Sequence, residues 1–171
     1  MLEESRDVMQ WALGQNDPAG WLDVQHHAPD RTASFLDALD GPFKTHLDRY
    51  KYASRFDVRT ALEHRTAGAA ILAEFDASLA SQPSLSGEKQ GLLDFATLPF
   101  VRQFRIADPV WFDAQPWPHL NHWLQDFLES RQFASVMKKY AIWQQGADPV
   151  SFPEIVESET GGAADIGQGT V

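Results

Sequence analysis

The most constraining stretch of this sequence is Leu92–Phe104, in which apolar side chains cover most of the circumference of a helical projection. A helix that is apolar on all sides must be buried by other elements, and the length of the stretch favours a helix over a strand. Pro99 lies inside it and removes one backbone hydrogen bond, which predicts a kink. We therefore expect a central, buried helix that begins at Gly91.

The expected start of this helix carries its own capping group. Asp94 follows Gly91 by three residues, a spacing at which its carboxylate reaches the Gly91 N–H and meets the positive end of the helix dipole. Glycine replaces the Ser or Thr that normally opens such a capping box, at a cost of only roughly a few tenths of a kcal/mol. Gly91 and Asp94 are therefore interpreted as a structural cap and not as catalytic groups.

Helical spacing of apolar residues also occurs before this stretch, with breaks between the segments. Leu2–Leu13 predicts a short first helix, and Trp21–Pro29 predicts an irregular connector. Arg31–Leu39 predicts one or two helical turns, which Asp40-Gly41-Pro42 interrupts.

Two long helices are predicted next, one from Pro42 and one from Asp57, joined by almost no loop. Such a pair forms an antiparallel helical hairpin. Downstream of the central helix, Pro118–Leu128 and Phe133–Tyr140 predict further helices. No segment has a convincing strand pattern, so the predicted fold class is an all-α helical bundle.

Composition and charge narrow the class of function. The 171 residues include 24 acidic and 14 basic side chains, a formal net charge of -10, which argues against nucleic acid or an anionic membrane surface as a partner. Cysteine is absent, so disulfide and thiol chemistry are excluded for these residues. No apolar run reaches the length of a membrane span, and Met1–Glu4 lacks the character of a signal peptide. A soluble cytoplasmic protein is therefore expected.

The order of these features resembles a known family. A helical hairpin, a Gly-containing turn, a capped buried helix with an internal proline and a Trp-containing helix are together similar to the C-terminal domain of bacterial glutathione S-transferases. The segments that carry the likeness are Leu85–Gly87, Leu92–Ala96, Leu98–Phe104, Tyr50–Ala53 and Trp111-Phe112. The likeness covers about residues 2–145.

In this family an N-terminal thioredoxin-like domain binds glutathione and precedes the helical domain. The resemblance implies that Glu4–Val8 corresponds to the start of the last helix of that domain, where an acidic residue and a serine hold the γ-glutamyl end of glutathione. Glu4 and Ser5 are therefore the candidate glutathione contacts. A helix N-terminus and a hydroxyl suit a carboxylate, and an acidic side chain suits the neighbouring ammonium group. The alternative is a plain capping pair.

The resemblance also implies a wall of the family's hydrophobic substrate site, which lies between the two domains. Its candidate residues here are Tyr50, Tyr52, Arg55, Phe100 and Phe104. Aromatic residues at helical spacing are more commonly core residues, and this alternative applies to Tyr50, Phe100 and Phe104.

Two further groups of polar residues give weaker signals. Arg49, Arg55 and Arg102 are placed to meet an anionic ligand, although arginines on helix surfaces commonly contact only solvent. His119 and His122 are three residues apart, yet no cysteine or nearby carboxylate pair completes a metal site. No metal is predicted.

The predicted organisation is a remnant helix at residues 1–14, a linker at 15–29, a helical bundle at 30–145 and a disordered tail at 146–171. The family activity is glutathione conjugation or reduction of small hydrophobic electrophiles. Without the thioredoxin-like sheet and its thiolate-stabilising donors, this chain alone is expected to be inactive or incomplete. The expected partner is a second copy in a homodimer or a thioredoxin-like domain supplied elsewhere. The alternative function is a non-catalytic helical interaction or regulatory module.

Overall fold

The computed structural model of the chain describes residues 4–150. Within this part the backbone forms α-helices, short helical turns and no β-strand, and an isolated antiparallel bridge joins Ser84 to Gly87. The predicted all-α fold class is confirmed. The disordered tail predicted from residue 146 lies, from residue 151 onward, outside the described residues.

The helices follow one another through short connections. Their bounds are α1 Ser5–Gln15, α2 Asp23–His27, α3 Pro29–Ala38, α4 Lys44–Lys51, α5 Ala61–Leu79, α6 Leu92–Ala107, α7 Pro109–Asp113, α8 Pro118–Leu128 and α9 Arg131–Val136. Helix α6 contacts α2, α3, α4, α7 and α8, while α5 packs on α4 and α8. Between residues 4 and 150, no helix combines the length and the hydropathy needed to cross a bilayer.

The central helix α6 is buried over most of its circumference, as its apolar composition predicts. Its buried side chains are Leu92, Leu93, Asp94, Ala96, Thr97, Leu98, Val101 and Phe104. Pro99 lies on the exposed side of the helix, so its ring takes no place in the core. The kink expected at Pro99 stays a prediction.

The chain does not break at Asp40-Gly41-Pro42, and that prediction is wrong. Leu39–Phe43 forms one π-helical turn that leads from α3 directly into α4. The turn places Leu39 and Phe43 in the hydrophobic core. Full burial of a side chain of this size is worth roughly 1.5–3 kcal/mol, which opposes the cost of the irregular turn and of the proline within it.

The predicted loop-free joint between the two long helices is also wrong. Helix α4 ends at Lys51, and two 3-10 turns, Ala53–Arg55 and Val58–Thr60, lead into α5. Val58 and Leu62, which helical spacing places inward, are exposed. The two helices do pack on each other, but Val58 and Leu62, near the start of the second one, lie outside the core. Periodicity alone does not show where the core stops.

Other predicted bounds shift by a few residues. The helix predicted over residues 2–13 is α1, which ends at Gln15; residues 2 and 3 lie outside the described residues. The helix predicted over residues 133–140 is α9, which spans Arg131–Val136. The stretch predicted to be an irregular connector contains α2. Asp17 stabilises the turn before this helix, because its carboxylate accepts hydrogen bonds from the N–H groups of Trp21 and Leu22, each at 2.8 Å.

Candidate functional site

The carboxylate of Asp94 collects four hydrogen bonds at the start of α6. It accepts from the N–H groups of Leu85 at 2.8 Å, Ser86 at 3.1 Å and Gly91 at 3.0 Å, and from Trp123 Nε1–H at 2.9 Å. Asp94 is 0% exposed. One carboxylate thus joins the preceding loop, α6 and α8. The role of Asp94 is therefore structural.

Neighbouring N–H groups at this helix end also have protein partners. Leu92 N–H donates to the Trp21 carbonyl at 3.0 Å, and Leu93 N–H donates to Ser86 Oγ at 3.2 Å. The Trp21 ring stacks on Phe95 with 3.9 Å between the ring centroids. Helix N-termini bind anions through such N–H groups, but here these donors are already used by the fold.

Glu4 and Ser5, the candidate glutathione contacts, lie at the exposed start of α1. Glu4 is the N-cap residue, with an extended backbone at φ -104° and ψ 149°, and its carboxylate accepts no capping hydrogen bond. The capping alternative would require such a bond to the first turn of the helix. The Glu4 side chain thus makes no capping contact with α1, and its contact with glutathione stays a prediction.

A groove lies beside Glu4, between the start of α1 and the π-helical turn. Its volume is about 510 Å³, and its lining residues are Glu4, Arg6, Asp7, Gln10, Asp40 and Lys44. Burial raises the pKa of Asp40, while the charge of Arg6 acts in the opposite direction. Arg6 also forms an ion pair with Asp37 at 2.6 Å. The mixture of carboxylates and cations suits a ligand group that carries both charges.

Phe104, a candidate for the substrate wall, lies in the core and reaches no open surface. It is fully buried, and its ring centroid is 5.9 Å from that of Phe43 and 5.1 Å from that of Tyr50. Gly68 on α5 makes room for it, since a Cβ at that position would lie 2.5 Å from the Phe104 ring.

Tyr50 lies at the edge of this core, and its hydroxyl is buried without a hydrogen-bond partner. The Arg65 guanidinium carbon is 5.9 Å from the Tyr50 ring centroid and 4.5 Å from that of Trp111, and its Nη1 is 3.4 Å from Asp108 Oδ2. Burial raises the pKa of Tyr50. The nearby Arg65 side chain acts on this pKa in the opposite direction.

The C-terminal end of α4 brings two of the remaining wall candidates, Tyr52 and Arg55, together with Lys51. Lys51 and its partner Gln103 are residues that sequence reasoning missed. Lys51 Nζ and Arg55 Cζ lie 4.8 Å and 4.7 Å from the centroid of the Tyr52 ring. Lys51 Nζ also donates to Gln103 Oε1 of α6 at 2.8 Å. Gln103 is three residues from Phe100, hence on the same side of α6. No local pattern could have paired Lys51 with Gln103, because they are far apart in sequence.

Comparison with known protein families identifies the class of this chain. Residues 33–126 match the family model described as glutathione S-transferase, C-terminal domain. The match covers more than half of the chain and includes the central helix with Asp94. The chain therefore belongs to the glutathione S-transferase family, through its C-terminal helical domain. Searches among curated proteins and among solved structures found no match.

Proposed function

We propose that this chain is the helical half of a glutathione-dependent transferase that acts on small electrophilic molecules in the cytoplasm. A thioredoxin-like domain, joined to the chain or supplied separately, completes it. The family commonly forms dimers, so the proposed active form contains two copies of the completed protein.

The observation that carries this proposal is the two-sided character of α1. Its inner face packs on the bundle through Met9 and Leu13. Its outer face leaves Val8 45% exposed and Trp11 56% exposed. Ser5 precedes Val8 by three residues, so the apolar patch and a candidate glutathione contact share one side of the helix. An exposed apolar patch of this kind marks a surface that another domain buries.

In the proposed assembly the added domain binds most of glutathione and stabilises its thiolate. On this chain, the Glu4 carboxylate accepts from the ammonium group of glutathione, and the Ser5 hydroxyl donates to the neighbouring carboxylate. The end of α4, with Tyr52 and Arg55, and Phe100 of α6 form the wall for the electrophile. The chain by itself is proposed to lack turnover, because the groups that stabilise the thiolate belong to the added domain.

The test is a conjugation assay with glutathione and chlorodinitrobenzene on three samples: this chain, a transferase thioredoxin-like domain, and the two joined in one polypeptide. Only the joined protein is expected to turn over. In it, Ser5→Ala should raise KM for glutathione about tenfold, equivalent to roughly 1.4 kcal/mol of lost binding. Ser34→Ala is the matched control, because Ser34 is also an exposed serine but lies on α3, away from the proposed glutathione contact. Turnover by this chain alone would contradict the need for the added domain, and an inactive joined protein would contradict the transferase function.

A non-catalytic interaction module is the second candidate. It is favoured by the segment that follows α9, in which Ile142 is 90% exposed and Trp143 is 77% exposed. Large apolar groups exposed next to each other are typical of a binding surface. In this case the joined protein would show no turnover, and Trp143→Ala would abolish binding of a partner without changing the stability of the bundle.

A further inference from the structure

The proposed function places Tyr52 and Arg55 in the electrophile wall but gives no role to the two positive charges beside the Tyr52 ring. Lys51 and Arg55 lie 4.8 Å and 4.7 Å from the centroid of that ring. Among residues 4–150, neither has a carboxylate within ion-pair distance. The sequence contains 24 acidic side chains and 14 basic ones, so a carboxylate partner would be easy to supply. The absence of a carboxylate beside these two cations therefore suggests that they serve another partner.

These two cations are held in place by the fold. Lys51 Nζ donates one hydrogen bond to Gln103 Oε1 at 2.8 Å, which leaves its other N–H bonds available. Cation–π attraction holds both charged groups close to the Tyr52 ring. Lys51 and Tyr52 are partly buried, whereas Arg55 is exposed. Because Lys51 and Arg55 already contact one ring, an anion that binds here would order few further side chains. Since Arg55 is exposed, salt would weaken its attraction to the anion.

Arg59 shows the contrasting arrangement in the same connection between α4 and α5. Its Nε and Nη2 donate to Asp57 at 3.1 Å and 2.9 Å. The charge of Arg59 is therefore matched by a carboxylate of its own. Lys44 at the other end of α4 is likewise paired, with Asp48 at 3.6 Å.

We propose that Lys51 and Arg55, positioned by Tyr52 and Gln103, form an anion subsite in the electrophile wall. The substrate is then an electrophile with an aromatic body, which packs on Phe100, and a carboxylate or sulfonate group, which meets the two cations beside Tyr52. This inference rests on the proposed function for its place in the wall. The net charge of -10 repels anions from the molecule as a whole, so an anion needs local positive groups to bind, and Lys51 and Arg55 supply two.

The test compares two ligands of one shape on the full chain. Naphthalenesulfonate and the uncharged hydroxymethylnaphthalene are titrated by ligand-observed NMR at low and at high ionic strength. The sulfonate is expected to bind about five- to tenfold more tightly at low ionic strength, and salt should reduce this preference. The double variant Lys51→Gln with Arg55→Gln should bind both ligands equally. Lys51→Arg should keep the preference, since it keeps the charge.

Arg59→Gln is the matched control and should behave as the unchanged chain. Equal affinity for the two ligands in the unchanged chain, an equal loss in Arg59→Gln, or no binding of either ligand would each overturn the anion subsite. The test of the anion subsite can be distinguished from the test of the proposed function. A joined protein without turnover, in a chain that still prefers the sulfonate, would reject the transferase and keep the subsite.

Discussion

At the scale of single residues, Asp94 is the side chain whose removal is expected to lower the free energy of unfolding most clearly. Asp94→Ala leaves four donors without their acceptor at a fully buried position. Each buried unsatisfied group costs about 1–3 kcal/mol, partly relieved by relaxation and water entry. We expect the free energy of unfolding to fall by about 4 kcal/mol, measured by urea denaturation.

A graded series separates this effect from a general loss of charge. Trp123→Phe keeps the aromatic packing and removes one of the four donors, so it should cost about 1 kcal/mol. Asp126→Ala, on the exposed side of α8, should change the unfolding free energy by less than about 0.5 kcal/mol. If Asp94→Ala cost no more than Asp126→Ala, the buried cap would have no stabilising role.

The histidine pair between α4 and α5 predicts a pH dependence. His46 Nδ1 and His64 Nδ1 are 2.9 Å apart. Burial lowers the pKa of His46, and the charges of His64 and Arg49 act in the same direction. The folded state therefore holds this proton less readily than the unfolded state, so stability falls as the pH drops below the ordinary histidine pKa of 6.5.

The measurement for this pair is Tm between about pH 7.5 and pH 5.5. In His46→Gln the decrease in Tm over this range should be smaller than in the unchanged chain. His119→Gln, at an exposed position of α8, should leave the decrease unchanged. Parallel Tm curves for His46→Gln and the unchanged chain would show that the pair does not couple folding to pH.

At the scale of elements, the contact between α5 and α6 depends on Gly68. Alanine is the better helix former by about 1 kcal/mol, so local propensity predicts that Gly68→Ala stabilises the chain. The added Cβ would lie 2.5 Å from the Phe104 ring, and overpacking of a core typically costs about 1–3 kcal/mol. We expect net destabilisation in urea unfolding. Gly14→Ala in α1, with nothing within 4 Å, should stabilise by up to about 1 kcal/mol, and the same sign for both variants would contradict this packing.

At the scale of the whole molecule, the outer face of α1 is expected to act in association and not in folding. Val8→Ser with Trp11→Ser removes exposed apolar groups, so the unfolding free energy of the chain should change by less than about 0.5 kcal/mol. If a thioredoxin-like domain is added as a separate protein, half-maximal activity should require at least about tenfold more of it. Leu13→Ser on the inner face is the contrast and should destabilise the chain itself. An unchanged requirement in the outer-face variant would place the domain contact elsewhere.

The sequence by itself determined that the chain is helical and that Leu92–Phe104 is its centre. Both conclusions depend on the spacing and the apolar character of residues near one another, and these properties can be read without knowing the packing. The contact expected between Asp94 and Gly91 is equally local, spanning three residues, and the two groups are 3.0 Å apart in the structure. Helix α2 escaped notice because five residues are too few to show a period.

Only the tertiary structure decided what the helices build together. Three of the four donors to Asp94 lie outside its capping box, and the bond from Lys51 to Gln103 crosses from α4 to α6. The turn Leu39–Phe43 stays helical because burial of its apolar side chains outweighs the local preference of Gly41 and Pro42 for a break. These contacts join residues that are far apart in the chain. A pattern that spans only a few neighbouring residues therefore cannot predict them.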